Sequence, residues 1–213
     1  MASEYERAYI SIMSSREVVQ AYAAWDDISE QEQLAIADAV ISRDRVLDVG
    51  CGAGRFTRLL SGKCACYVGL DIIPMMLDAT KSRSRDAWLI QADATQLPFA
   101  NGAFDVGLVM HNGIDALHPI SRREALLSAV RDVLSAAGRL VFSTHLLRPD
   151  DRVDIPGYVS EDYHGHQVLM HRTTEDACRA ELRSAGFNPR TMEVVRKRGK
   201  AEWIYVSAEK QTI

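Results

Sequence analysis

Apolar and polar positions follow two periods along the chain, and the switches between them mark its elements. Five apolar runs, at 46–49, 67–71, 88–91, 104–110 and 139–144, each end in turn residues. Runs of this length, bounded by Gly, Asp or Asn, are the pattern of strands buried on both faces of a parallel sheet. Elsewhere the period is helical. Val18, Tyr22 and Trp25 share one helical face, with Val19 beside them, and Leu34, Ala37, Val40 and Ile41 share another. Ser29 and Glu32 have capping-box spacing at the start of the second helix. Ser121 and Glu124 have it again ahead of Leu127, Val130 and Leu134, and Gly138 is expected to close that helix. Two helices are thus predicted before the first strand, with residues 1–15 a polar lead-in. Strand and helix then alternate five times, which gives a mostly parallel sheet with helices on both faces.

Beyond the fifth strand the pattern loosens. Residues 146–172 hold Pro149, Pro156, Gly157 and Gly165 and read as an insertion, a lid or substrate wall with a short hairpin around His164–Met170. Thr173 or Thr174 then caps a helix that buries Leu182 and Ala185 and ends at Gly186. Two closing strands are expected at Thr191–Arg196 and Trp203–Ser207, joined by a basic turn over 196–200.

The chemistry concentrates after the first strand. Val46–Val49 runs into Gly50, Cys51, Gly52, Ala53 and Gly54, and a helix follows from Arg55. Glycines let the backbone turn sharply and let a ligand lie against it, and the helix start offers free amides. Asp71 ends the second strand at about the twenty-residue distance where nucleotide folds place a ribose-binding acid. A carboxylate there accepts from both ribose hydroxyls and repels a 2′-phosphate. The dinucleotide fingerprint G-x-G-x-x-G would need glycine where this chain has Arg55.

With Asp48 as the acid before G-x-G-x-G, the stretch resembles motif I of the class I S-adenosylmethionine (SAM)-dependent methyltransferases. The resemblance implies an α/β fold. It would be a Rossmann-like, doubly wound, seven-stranded, mostly parallel sheet with an antiparallel C-terminal hairpin, in one domain over residues 1–213. It implies that the helical segment 1–44 covers the cofactor and that 146–172 lies on the substrate side. Asp93 and Ala94 match the positions that meet the adenine amine and a ring nitrogen. The implied cofactor site is Asp48, Gly50, Cys51, Gly52, Gly54, Asp71, Ile72, Asp93, Ala94 and His111, with SAM bound and S-adenosylhomocysteine (SAH) as product. After the fourth strand the chain reads His111-Asn112-Gly113-Ile114-Asp115 instead of the Asp/Asn-Pro-Pro-aromatic motif of nucleobase and glutamine methylators.

Methyl transfer to an oxygen or nitrogen of a small-molecule acceptor is therefore expected. Candidate catalytic groups are His111, His145 and His166, with Asp115, His118, Tyr163 and His164 near them in sequence. The alternatives are a non-catalytic SAM-binding module and a nicotinamide-dependent oxidoreductase. His164 and His166 with Asp150 or Asp151 have metal-ligand spacing, but no metal is expected.

A net charge of −4 gives no electrostatic footprint for nucleic acid, and no apolar run approaches the ~18 residues of a membrane span. The lead-in lacks the pattern of a signal peptide. The four cysteines show no C-x-x-C or zinc spacing, and Cys64 and Cys66 would share a strand face. A reduced, cytoplasmic setting suits them. The pattern sets no oligomeric state.

Overall fold

Three helices, one more than expected, precede the first strand: α1 (Glu4–Met13), α2 (Arg16–Ala24) and α3 (Glu30–Ala39). The computed structural model describes residues 2–111, 113–163, 165–197 and 200–211, with backbone alone at 196–197 and 200–201. Asn112, His164 and the tip of the basic turn, 198–199, lie outside the described residues. The unexpected helix α1 starts on Ser3, whose hydroxyl accepts from the Glu6 amide at 3.2 Å. Its apolar positions are interrupted by a buried glutamate, which hid it from a pattern search. The capping box at α3 forms, with Glu32 reaching back to the Ser29 amide at 2.9 Å.

The parallel core is β1 (Arg45–Val49), α4 (Arg55–Leu60), β2 (Cys66–Asp71), α5 (Pro74–Arg83), β3 (Trp88–Gln91), β4 (Phe104–Val109), α6 (Ile120–Val133) and β5 (Leu134–Leu146). No helix joins β3 to β4. Residues 92–103 cross as a loop whose Leu97 and Phe99 pack on the core. The α6 capping box is not formed. That helix starts one residue earlier than Ser121, behind Pro119, and no side chain caps it. Gly138 does not end it either: Leu134 is already extended and Gly138 lies within β5, where a Cβ would come within 2.7 Å of Leu134 Cβ. Cys64 falls before β2, so the two cysteines do not share a strand.

The insertion folds as β6 (Val153–Ile155), β7 (Tyr158–Tyr163) and β8 (His166–Thr173), an antiparallel set larger than the expected hairpin. Thr174 then caps α7 (Glu175–Ser184), and β9 (Phe187–Lys197) and β10 (Lys200–Lys210) form the antiparallel closing hairpin. Strand order is β3-β2-β1-β4-β5, with β10 on β5 and β9 outside it. These seven strands match the expected sheet. The other three belong to the insertion, which joins the sheet where β8 pairs residues 145–146 of β5, beyond the end of β4. Alternate residues of the buried strands face opposite cores. Leu47 and Val49 pack toward α6 and α7, and Val46 packs toward α3 and α4. Among the described residues, no helix is long and apolar enough to cross a membrane.

Candidate active site

The strand order reverses between β1 and β4, and an open α/β sheet binds its ligand outside the carboxyl ends of the strands at such a point. The glycine loop lies there. Gly50, Gly52 and Gly54 take φ of 75°, 54° and 83°, a region that costs other L-residues about 1–2 kcal/mol. A Cβ built on Gly50 or Gly52 meets nothing within 4 Å, so both present bare main chain to open space. Gly54 differs. A Cβ there would lie 2.7 Å from Thr80 Cγ2, and Gly54 lines neither cavity beside the loop. It lets α4 approach α5.

Asp71 fixes the loop. Its Oδ2 accepts from the Gly52 amide at 2.9 Å and its Oδ1 from the Ile73 amide at 2.9 Å. Burial raises its pKa, and the amides oppose that rise. Below the loop, Asp48 accepts from the Tyr67 hydroxyl at 2.7 Å, and Tyr67 bonds Thr57 at 2.7 Å. Burial, against the Tyr67 hydrogen bond, pushes Asp48 up to about 6.

Two adjoining cavities open above the loop, of about 130 and 50 Å³. The larger is lined by Gly50, Gly52, Asp71, Ile72, Asp93, Ala94 and His111; the smaller by Asp48, Gly50, Cys51, Gly52 and His111. All of the expected cofactor positions except Gly54 are thus brought together. The α1 residues over the loop were not singled out in the sequence: Glu6, Tyr9, Ile10 and Met13 of α1 line the larger cavity, and Tyr22 lines both. The Tyr22 hydroxyl bonds that of Tyr163, so α2 is joined to β7 of the insertion. Trp25 reaches the smaller cavity and carries the Arg55 guanidinium at 4.6 Å from its ring centroid.

Asp93 is also engaged. Its Oδ1 accepts from the Thr95 amide at 2.9 Å and hydroxyl at 2.8 Å, and its Oδ2 accepts from Arg122 at 2.8 Å. Burial would raise its pKa, but Arg122 and Thr95 outweigh it and hold the carboxyl below the usual range.

The histidines separate. His111 has φ of 56°, uncommon for a non-glycine residue, and its amide donates to Ser143 Oγ at 2.8 Å. Its ring lies edge-on to Trp25 at 4.5 Å and near-parallel to Trp203 at 5.7 Å. His145 stacks on the same Trp203 at 4.2 Å, with Nδ1 3.0 Å from Asp115 Oδ2, and lines neither cavity. His166 is exposed on β8, opposite Tyr163, and is not brought to the cavities. Asp115, fully buried, accepts from Arg123 at 2.6 Å, from Thr144 at 2.6 Å and from the His145 amide at 2.9 Å. Burial opposes ionisation there, but His145 and Arg123 bring its pKa to about 2, so it acts as a brace. No metal-binding cluster occurs among the described residues.

A doubly wound sheet with bare glycines and two acids at its switch point defines a nucleoside-binding α/β protein. Comparison with known proteins narrows the class. The family profile described as "Methyltransferase domain" matches residues 47–142. A demethylmenaquinone methyltransferase of Thermotoga maritima is 33% identical over 168 residues, which cover 69% of this chain and 71% of the relative. Of two other curated methyltransferases that it matches, the chain spans half the length or less. Among solved structures, the fold is shared with Burkholderia thailandensis 1,6-didemethyltoxoflavin-N1-methyltransferase, bound to 1,6-didemethyltoxoflavin and SAH. The TM-score is 0.75 at 18% identity, over 99% of this chain and 92% of that one. It is shared equally with the 4+2 cyclase SpnF, at TM-score 0.75 and 15% identity over 100% and 98% of the two chains. The chain belongs to the class I SAM-dependent methyltransferases.

Proposed function

We propose that this protein holds SAM across the crevice above β1, β2 and β3 and passes its methyl group to an oxygen or nitrogen of a small-molecule acceptor. One observation carries the reading: Gly50 and Gly52 leave open space above the loop, and the acid that pins Gly52 faces the same cavity. A nucleoside with an amino-acid tail fits that layout. Asp71 keeps lone pairs for ribose hydroxyls, since each carboxylate oxygen accepts more than one bond. Asp93 and the Ala94 amide would meet the adenine edge, Ile72 would border the nucleoside, and the tail would run along Gly50, Cys51 and Gly52 above Asp48.

SAM supplies an activated methyl on a sulfonium when bound. What the chain then contributes is position: two reactants held in line gain rate by orientation alone. His111 borders both cavities and is the group we assign to the acceptor, as base where the acceptor must lose a proton. His145, braced by Asp115 and stacked on Trp203, supports the ring wall that holds His111; His166 has no part at the cavities. The relatives that act on small molecules favour that acceptor class over nucleic acid. Four free cysteines suit a cytoplasmic setting.

The test has two arms. SAH is titrated into the protein by calorimetry, and SAH release from SAM is then followed over a panel of phenols, hydroxy acids and amines. Binding with turnover on one acceptor class supports the proposal. Binding without turnover on any acceptor supports the non-catalytic alternative, and absence of binding removes both.

A further inference from the structure

The expected adenine acid does not stand alone. Arg122 of α6 is nine-tenths buried and holds two carboxylates at once. Its Nε donates to Glu6 Oε2 at 2.6 Å, and its Nη2 donates to Glu6 Oε1 at 2.8 Å and to Asp93 Oδ2 at 2.8 Å. Glu6 is 3% exposed, sits on α1 and lines the same cavity as Asp93 and Gly52. We infer that Glu6 and Arg122 are positioning residues for the nucleoside, an ion relay that makes seating of α1 and retention of the cofactor a single event. The inference rests on the proposed SAM site.

Geometry gives the coupling. The loop side of the cavity is fixed in the sheet, whereas its α1 side is held by contacts along the helix, with Tyr9 and Ile12 packed against Val168 and Met170 of β8. Near the C-terminal end of α1, Met13 packs with Val18, Val19, Ile73 and Met76. Near its N-terminal end, the relay binds Glu6. Release of a nucleoside held between α1 and the loop would go with lifting of α1, and lifting α1 strips Arg122 of both Glu6 bonds. Buried charge pairs resist such separation because the stranded charges stay poorly solvated. In the other direction, Arg122 keeps the Asp93 carboxylate ionised and fixes its orientation, so a nucleoside amine meets a set acceptor. An exposed pair would do neither.

The test compares the wild type with Glu6→Gln and Arg122→Lys, by stopped-flow dissociation of SAH and by hydrogen exchange of residues 4–13. The wild type must bind SAH; if it does not, the SAM site itself fails and the relay is not in question. Given binding, SAH leaves Glu6→Gln at least tenfold faster, Arg122→Lys lies between it and the wild type, and SAH slows exchange across α1 in the wild type. A merely structural pair would lower the melting temperature of the free protein and leave the dissociation rate unchanged. That result overturns the inference, as does α1 exchange in the wild type that SAH does not alter. If Glu6→Gln fails to fold, Arg122→Lys and the wild-type exchange decide between the two.

Discussion

Asp48 and Asp115 are both buried carboxyls, yet their surroundings push them in opposite directions. Asp48 has one phenol for a partner and rises to about 6; Asp115 has an arginine, a threonine and a histidine and falls to about 2. The linkage signs follow. The folded state keeps a proton on Asp48 that the unfolded chain has lost by about pH 4, so its contribution to stability fades as pH rises from about 4 to 6, by about 3 kcal/mol. Asp115 contributes above about pH 4, and its contribution is lost as pH falls toward 2, by about 2 kcal/mol. Asp48→Asn should therefore flatten the fall in stability between pH 4 and 6, so that its melting temperature exceeds the wild type's at pH 8 and not at pH 4. Parallel melting curves across that range would show that Asp48 is ionised in the folded protein throughout. The glycines divide in the same residue-level way. Gly52→Ala adds a Cβ in the ligand's space and should weaken SAH binding more than tenfold while costing about 1–2 kcal/mol of stability. Gly54→Ala drives a Cβ against Thr80 and should lower stability by more than Gly52→Ala. Equal losses of binding and stability in the two variants, by calorimetry and chemical denaturation, would contradict this division.

At the scale of elements, one arginine ties α6, β5 and α7 to the loop after β4. Arg123 on α6 is fully buried and donates to Asp115 in the loop after β4, to Thr144 on β5 and to Glu181 on α7. Asp115→Ala leaves Arg123 with Glu181 as its one carboxylate and unpairs Thr144 and the His145 amide, and should cost about 3 kcal/mol in urea denaturation. A loss under about 1 kcal/mol would mean that solvent reaches Arg123. This brace was not legible in the sequence, where Asp115 read as a candidate base. The partners of Asp115 lie eight, 29 and 30 residues away in the chain and Glu181 lies 58 from Arg123, and only the meeting of α6, β5 and α7 makes the brace structural. β1, β2 and β4 were legible because burial on both faces leaves unbroken apolar runs, whereas β3 lies at the sheet edge and leaves Trp88 exposed. Helix α1 was not legible, since Glu6 is buried by an ion pair and breaks the apolar stripe. The Ser121 box failed because Arg122 and Arg123 are drawn inward, which makes residues 120–124 a working surface of α6. Its start is set by Pro119 instead.

For the whole molecule, the ligand floor was legible residue by residue, whereas the roof was expected only as a segment, residues 1–44. Asp48, Gly50, Gly52, Asp71 and Asp93 sit at strand ends, where sequence spacing fixes position in the sheet. Glu6, Tyr9, Tyr22 and Tyr163 come from α1, α2 and the insertion, and meet only because the insertion folds back beside β5 and packs on α1. Asp71→Ala belongs to this scale, since it removes the floor's link between the β1 and β2 ends. It should weaken SAH binding about ten- to a hundredfold, the value of about 1.5–3 kcal/mol for a hydrogen bond to a charged group. Unchanged affinity would take Asp71 out of the ribose role.

A crystal structure of the protein grown with SAH tests the central claim most directly. The ribose hydroxyls should lie on the Asp71 carboxylate, the adenine amine beside Asp93, and the amino-acid tail along Gly50 and Gly52 with its sulfur toward His111. SAH bound elsewhere, or a crevice above residues 50–54 left without it at saturating concentration, would contradict the claim.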